Sequence, residues 1–307
     1  MNHEESGVQA GRPPFGEAYA REVLSAAGER GAEAALLSLG ENAVFALPAR
    51  DDRTAGHGTV VRIGRGPRLA ERAAHELRVA GWLAEHGVPV VRPAAPEVTA
   101  VEGHPLTYWE RLPPAVRPPG PADVAELVGL VHRLGPAPFP LPPRELLAGV
   151  DRWLSVAGSA VPAADAAYLR ARRDGFAAAV AELTPVLAPG PIHGDALPRN
   201  VHVGPDGPVL LDLETFSDDL REHDLVVMAL SRDRYGLSEE SYREFADVYG
   251  WDVREWEGCA LLKGARETAS CAWVSQHAPS NPAAAREFAR RIASLRDGDT
   301  TVRWYPF

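Results

Sequence analysis

Between Ile192 and Glu214 the chain gathers a histidine, an amide and several carboxylates into one short stretch: His193-Gly194-Asp195, then Asn200, then Asp212 after the apolar run Pro208 to Leu211. That run reads as a buried strand, and the turn Gly204-Pro205-Asp206-Gly207 before it predicts a hairpin, so Asp195, Asn200 and Asp212 are expected to converge at its open end. Moving a phosphoryl group calls for such a set. One carboxylate orients and deprotonates the acceptor hydroxyl, while an oxygen pair holds magnesium against the nucleotide phosphates. An Asp before a turn is by itself often only a turn former, and Asp212 alone could be a strand-end cap. The weight lies on the whole set in order. His193 suits the organisation of the loop better than chemistry.

These residues need elements to hold them. Helical spacing over Gly16 to Glu33 gives way to three short strands, Ala35 to Leu39, Asn42 to Leu47 and Thr59 to Ile63, joined by a tight link at Gly40-Glu41-Asn42 and a looser one from Pro48 to Gly58. Pro67 opens a helix with Leu69, Ala73, Leu77, Ala80 and Leu83 on one face, stopped by Gly87 and Pro89. Two further strands, Glu97 to Val101 and Leu106 to Leu112, flank a turn at Glu102-Gly103. The proline-rich segment Pro113 to Pro121 then marks passage to a mainly helical part. Its helices are expected at 122–134, 147–153, 164–183, 224–230, 238–249, 255–276 and 282–295. The domains are accordingly 1–112 and 113–307, with no internal repeat.

Composition narrows the function. The 307 residues, 45% hydrophobic, can form real cores, and no stretch approaches the ~20 apolar residues that span a bilayer. The polar, acidic first thirty residues are unlike a secretory signal, so a cytoplasmic protein is expected, with no membrane partner. A net charge of -10 disfavours nucleic acid and suits a cationic small molecule. Cys259 and Cys271 lie twelve apart in a helical pattern and read as buried filler, not a disulfide or a metal pair.

The order His-Gly-Asp, four residues, Asn, then Leu-Asp-Leu-Glu resembles the aminoglycoside phosphotransferase and choline kinase-like family of small-molecule kinases. The resemblance implies an α+β, protein-kinase-like bilobal fold with a small amino-terminal antiparallel β-sheet lobe that binds nucleotide and a larger, mainly α-helical carboxy-terminal lobe. It implies Asp195 as the base, Asn200 and Asp212 as Mg2+ ligands, and ATP or GTP as phosphoryl donor. In Val60-Val61-Arg62-Ile63 it implies Arg62 as the phosphate-binding cation, where lysine is usual, with Glu76 as its partner; by themselves the two also read as a surface strand arginine and a solvated helix residue paired with Arg72 at i-4. Gly40 and Asn42 stand in the nucleotide loop, which lacks the G-x-G-x-x-G pattern. Glu110 and Leu112 lie where backbone groups would read the base. Asp224, before Leu225, matches the family's structural Asp-Leu. The loop departs from the commonest form at Ala196-Leu197 and at Arg199, which either contacts phosphate or seals the loop by an ion pair. Glu214, Asp218, Asp219 and Glu222 line an amine-binding cleft or form an exposed acidic loop, and Trp251, Trp256 and Trp273 wall the acceptor site or fill the core.

The implied reaction is phosphoryl transfer to a hydroxyl of a small molecule, such as a cationic one or an antibiotic inactivated by it. A metabolite kinase of the choline, homoserine or sugar type is the alternative, and a nucleotide-binding pseudoenzyme is disfavoured because base and metal ligands are all present. A monomer and a homodimer fit equally.

Overall fold

Five short strands rich in β-branched and aromatic residues pair edge to edge in a computed structural model that describes residues 15–40, 42–48 and 58–307. They are β1 (Ala35–Leu39), β2 (Asn42–Ala46), β3 (Thr59–Gly64), β4 (Thr99–Val101) and β5 (His104–Glu110), in the order β1-β2-β3-β5-β4 with all neighbours antiparallel. The register sets Arg62 opposite Val44 on one side and Thr107 on the other. Residues 1–14, Glu41 of the tight link and most of the link from Pro48 to Gly58 lie outside the described residues.

Helix α1 (Glu17–Ala26) lays Tyr19, Val23 and Leu24 on Phe45, Val61, Ile63 and Leu106, closing the core of this unit. It is shorter than expected because the chain turns back from Ala27 onward. Helix α2 (Ala70–Glu85) follows a single 3-10 turn over Pro67–Leu69 and buries Leu77, Ala80 and Leu83, along with Glu76. This unit runs to Glu85 and resumes at Val90–Pro114.

The other unit comprises His86–Pro89 and Ala115–Phe307. The short segment belongs here because Leu210 donates its N–H to Pro89 O. Helices α3 (Pro121–His132), α4 (Val150–Ala157) and α5 (Ala163–Ala181) precede four short strands. These are β6 (Gly190–Ile192), β7 (Val201–Gly204), β8 (Gly207–Leu210) and β9 (Ser217–Asp219), and helices α6 (Glu222–Arg234), α7 (Glu239–Tyr249), α8 (Cys259–Ser275) and α9 (Pro282–Arg296) follow. Asp123 accepts the Gly120 N–H to start α3, and Asn281 accepts the Ala283 N–H to start α9, so orphan amides are satisfied where these helices begin. A core of Val150, Leu154, Leu169, Cys271, Phe288 and Trp304 joins α4, α5, α8 and α9.

Helix α6 is buried at every residue from Glu222 to Ser231, so its apolar pattern shows no single face. Both cysteines are buried and free, and burial pushes the Cys271 thiol up to about 12, which keeps it unreactive. Among the described residues no helix is long and apolar enough to cross a membrane.

Candidate active site

The hairpin expected from the sequence forms, with β7 and β8 pairing Val201 with Leu210 at its open end and the left-handed Gly207, φ 114°, helping to close its turn. Its second strand is less buried than expected: only Leu210 is fully covered, since a two-stranded ribbon has no sheet on its other edge. At the open end Asn200 O accepts the Leu211 N–H at 2.9 Å and His193 Nε2 reaches Leu211 O at 2.9 Å. The Asp195 N–H donates to His193 Nδ1 at 3.2 Å, so the proton of this imidazole must sit on Nε2 and point to Leu211. Fully buried and bound at both nitrogens, His193 is a strut of the loop.

Asp195 and Asn200 are locked together. Asn200 Nδ2 donates to the Asp195 carbonyl at 2.8 Å and to its Oδ2 at 3.1 Å. The amide oxygen of Asn200 is thereby turned away from the loop and makes no hydrogen bond to the described residues. Asp212 follows β8 in a left-handed conformation, φ 56° and ψ 69°, is exposed, and makes no side-chain cap for the 3-10 turn Leu213–Thr215. That removes the capping explanation, and a strained non-glycine residue needs another one. Two hard oxygen donors, an amide and a carboxylate, suit magnesium, which takes few protein ligands beside its waters.

Gly194 has no alternative at its position. Its φ is +80°, and a Cβ there would come within 2.4 Å of Thr215 O. Its N–H and that of His193 donate to the two oxygens of Asp224, each at 2.7 Å. Burial opposes the charge of Asp224, but hydrogen bonding and attraction from His132, then His193, hold the carboxyl below its ordinary range.

Arginines surround Asp195, and two of them, Arg266 and Arg144, were indicated by no sequence pattern. Arg266, on α8, donates from Nη2 to Asp195 Oδ1 at 2.5 Å and from Nη1 to Gly194 O at 3.3 Å. Arg199 donates to Asp195 Oδ2 at 2.6 Å, an ion pair across one turn of the loop. Arg144, from the proline-rich stretch after α3, donates from Nε to Gly194 O at 3.1 Å. Burial works against ionisation of Asp195, yet Arg266, Arg199, His193 and Arg144 outweigh it and keep the carboxyl below its ordinary value. His132 was also missed. It lies four residues beyond Val128 on the apolar stripe of α3, and a histidine within such a stripe was the available signal.

The expected acidic cleft needs correction. Glu222 is fully buried, and its Oε1 accepts the N–H groups of Val186 and Leu187 at 2.8 and 2.9 Å, so it is a backbone anchor and cannot meet an acceptor amine. Asp219 accepts from the backbone of Arg144 at 2.8 Å and of Leu220 at 2.7 Å. The stretch is also no loop: Asp218 and Asp219 belong to β9, which pairs with β6, and three-residue strands rich in Pro and Asp carry no readable period. Asp218 is exposed and Glu214 half-buried. Trp256 is core and donates to Thr184 O, whereas Trp273 is exposed and packs on His277 and Phe307.

In the other unit Arg62 Nη1 lies 2.6 Å from Glu76 Oε2, and the buried carboxylate fixes the guanidinium on the sheet. With its amide oxygen toward Arg62, Asn42 accepts from Nε and Nη2 at 2.9 and 2.7 Å, so it braces this cation. The Gly40 N–H donates to Asn42 O at 2.9 Å, closing the β1–β2 link, and a Cβ at Gly40 would meet nothing within 4 Å. Openness, not an unusual backbone angle, is what glycine provides there. The Glu110 N–H is occupied by Arg92 O at 2.8 Å, while the Leu112 N–H has no partner among the described residues.

The family model for the phosphotransferase enzyme family matches residues 40–262. Among solved structures, an amicoumacin kinase in complex with AMP-PNP, Ca2+ and Ami is similar at TM-score 0.69 and 14% identity, over 93% of this chain and 97% of that one. A choline/ethanolamine kinase family protein from Mesorhizobium loti gives 0.62 and 20%, over 92% and 96%. An aminoglycoside phosphotransferase from Streptomyces rimosus in complex with ADP and streptomycin gives 0.57 and 17%, over 82% and 99%. No curated protein matches the chain. The fold is thus the α+β, protein-kinase-like one, and with the family model spanning well over half of its length the chain belongs to the phosphotransferase enzyme family.

Proposed function

We propose that the chain transfers the γ-phosphoryl group of a nucleoside triphosphate to a hydroxyl of a small molecule, with Asp195 as the base. The observation that carries this reading is the coupling of Asp195 to Asn200 through two hydrogen bonds, beside an exposed Asp212 held in a left-handed conformation. The acceptor oxygen forms a bond to the γ-phosphorus as the bond from that phosphorus to the bridging oxygen breaks, and the hydroxyl proton passes to Asp195. A carboxylate held below its ordinary pKa is a weak base, which suits a loose transition state in which proton transfer comes late and orientation counts most. Asn200 and Asp212 would hold magnesium, which when bound neutralises charge on the β- and γ-oxygens. Arg62, fixed by Glu76 and Asn42, supplies the phosphate-binding cation.

Phosphoryl transfer from Mg-ATP and Mg-GTP, measured against aminoglycosides, peptide and nucleoside antibiotics, amino alcohols and hydroxy acids, tests the reading. Asp195→Asn should lower kcat by about 10²- to 10⁴-fold while nucleotide affinity is nearly kept. Retained turnover in that variant would falsify the assignment.

A further inference from the structure

The hydrogen-bond inventory around Asp195 is unbalanced. Three arginines, Arg144, Arg199 and Arg266, reach the Gly194-Asp195 segment, and the carboxylates close by are Asp195, Asp219 and Asp224. Formal charge is even, but acceptors are not. Both oxygens of Asp224 are taken by the N–H groups of His193 and Gly194, with His132 sharing one, and both oxygens of Asp219 are taken by backbone N–H groups. Only Asp195 accepts from guanidinium groups, and its two oxygens are divided between Arg199 and Arg266.

Arg144 is left with a single hydrogen bond, from Nε to the Gly194 carbonyl that Arg266 also contacts. Its two terminal nitrogens make no hydrogen bond among the described residues. Two guanidinium groups on one carbonyl oxygen repel each other, and burial together with Arg266 pulls the Arg144 pKa down to about 10. His223, next to Asp224, is pushed down to about 4 by burial, with Arg266 and Arg144 adding to the effect against Asp219, so no imidazolium competes for an incoming anion. A pair of donors on a planar guanidinium, held by its own Nε and open at its far edge, matches the two oxygens of a carboxylate.

We propose that Arg144, with Arg266, binds a carboxylate of the acceptor, so that the small molecule phosphorylated here is a hydroxy acid and not an amine. The inference rests on the proposed function and names the substrate class of that site. The bound carboxylate takes the open edge of Arg144 and draws Arg266 from Asp195, leaving Asp195 Oδ1 for the acceptor hydroxyl. Arg144 is a specificity-determining residue in this scheme, and Arg266 couples acceptor binding to release of the base.

The test uses the full chain with Mg-AMP-PNP for binding and Mg-ATP for turnover, and glycerate, L-malate and 3-hydroxybenzoate as probes, each beside its amide. At least one acid should bind, by calorimetry, at least about tenfold more tightly than its amide, since a charge-assisted bidentate pair exceeds a neutral one. Arg144→Gln should erase that preference and Arg144→Lys should keep part of it, with Mg-AMP-PNP affinity within about threefold of wild type in both as the folding control. Equal affinity for acids and amides, or a preference that survives Arg144→Gln, overturns the proposal. Those outcomes leave the kinase reading intact, because it fails on a different observation, the absence of Mg-AMP-PNP binding and of transfer to any acceptor.

Discussion

His132 Nε2 lies 3.2 Å from Asp224 Oδ2, both side chains are buried, and the same Asp224 oxygen accepts the His193 N–H at 2.7 Å. His132 Nδ1 is in turn 2.9 Å from the Tyr249 hydroxyl. A chain of side chains from α7 through α3 and α6 thus ends on the backbone of the candidate catalytic loop. Asp224→Ala would strand two buried N–H groups and is expected to cost roughly 3–5 kcal/mol, with Asp224→Asn costing less, in denaturant unfolding. Because the folded carboxyl lies below its ordinary value of 3.8, its contribution is full above that value and is lost as pH falls through the folded one. Wild type should therefore lose part of its margin over the Asn variant only in acid. An equal margin at pH 7 and in strong acid would show that charge on Asp224 does not matter.

Gly194→Ala tests the backbone of the loop. The left-handed φ and the approach to Thr215 O forbid a methyl group without a shift of the loop, so a stability loss of about 1–3 kcal/mol is expected. The displaced Asp195 should lower kcat by at least about tenfold. Unchanged stability and turnover would mean that the loop adapts freely.

Removing the partner of Arg62 should weaken nucleotide binding without touching the acceptor. Glu76→Gln is expected to raise the nucleotide KM by about tenfold, with a like effect from Arg62→Ala. The double variant should be little worse than either single one, since each breaks one unit. Fully additive losses would separate the two roles.

His223 offers a pH signature of stability. Burial holds its folded pKa at about 4 against an ordinary 6.5, so the unfolded chain takes up a proton that the folded protein refuses. Stability is full above 6.5 and declines as pH falls toward 4, by up to about 3 kcal/mol from this group. His223→Asn should flatten that part of the curve in thermal melts. A slope identical to wild type assigns the acid sensitivity elsewhere.

Local pattern marked most of the elements in order, though not the short strands β6 and β9. Alternation and short apolar runs marked β1, β2 and β3, while 3.6-residue spacing marked α2, α3, α5, α7 and α9, because each of these exposes one face and buries the other. The His-Gly-Asp to Asn spacing likewise disclosed the loop, since those residues sit close in sequence and bond to one another within it. What lies far apart in sequence was decided by tertiary structure. Arg266 stands 71 residues from Asp195, and nothing in the pattern of α8 distinguishes it from a solvated arginine. Glu222 and Asp219 read as free acids until packing placed backbone N–H groups against them. A charged side chain records its type in the sequence, but whether it meets solvent, a ligand or an amide depends on which distant segment folds against it.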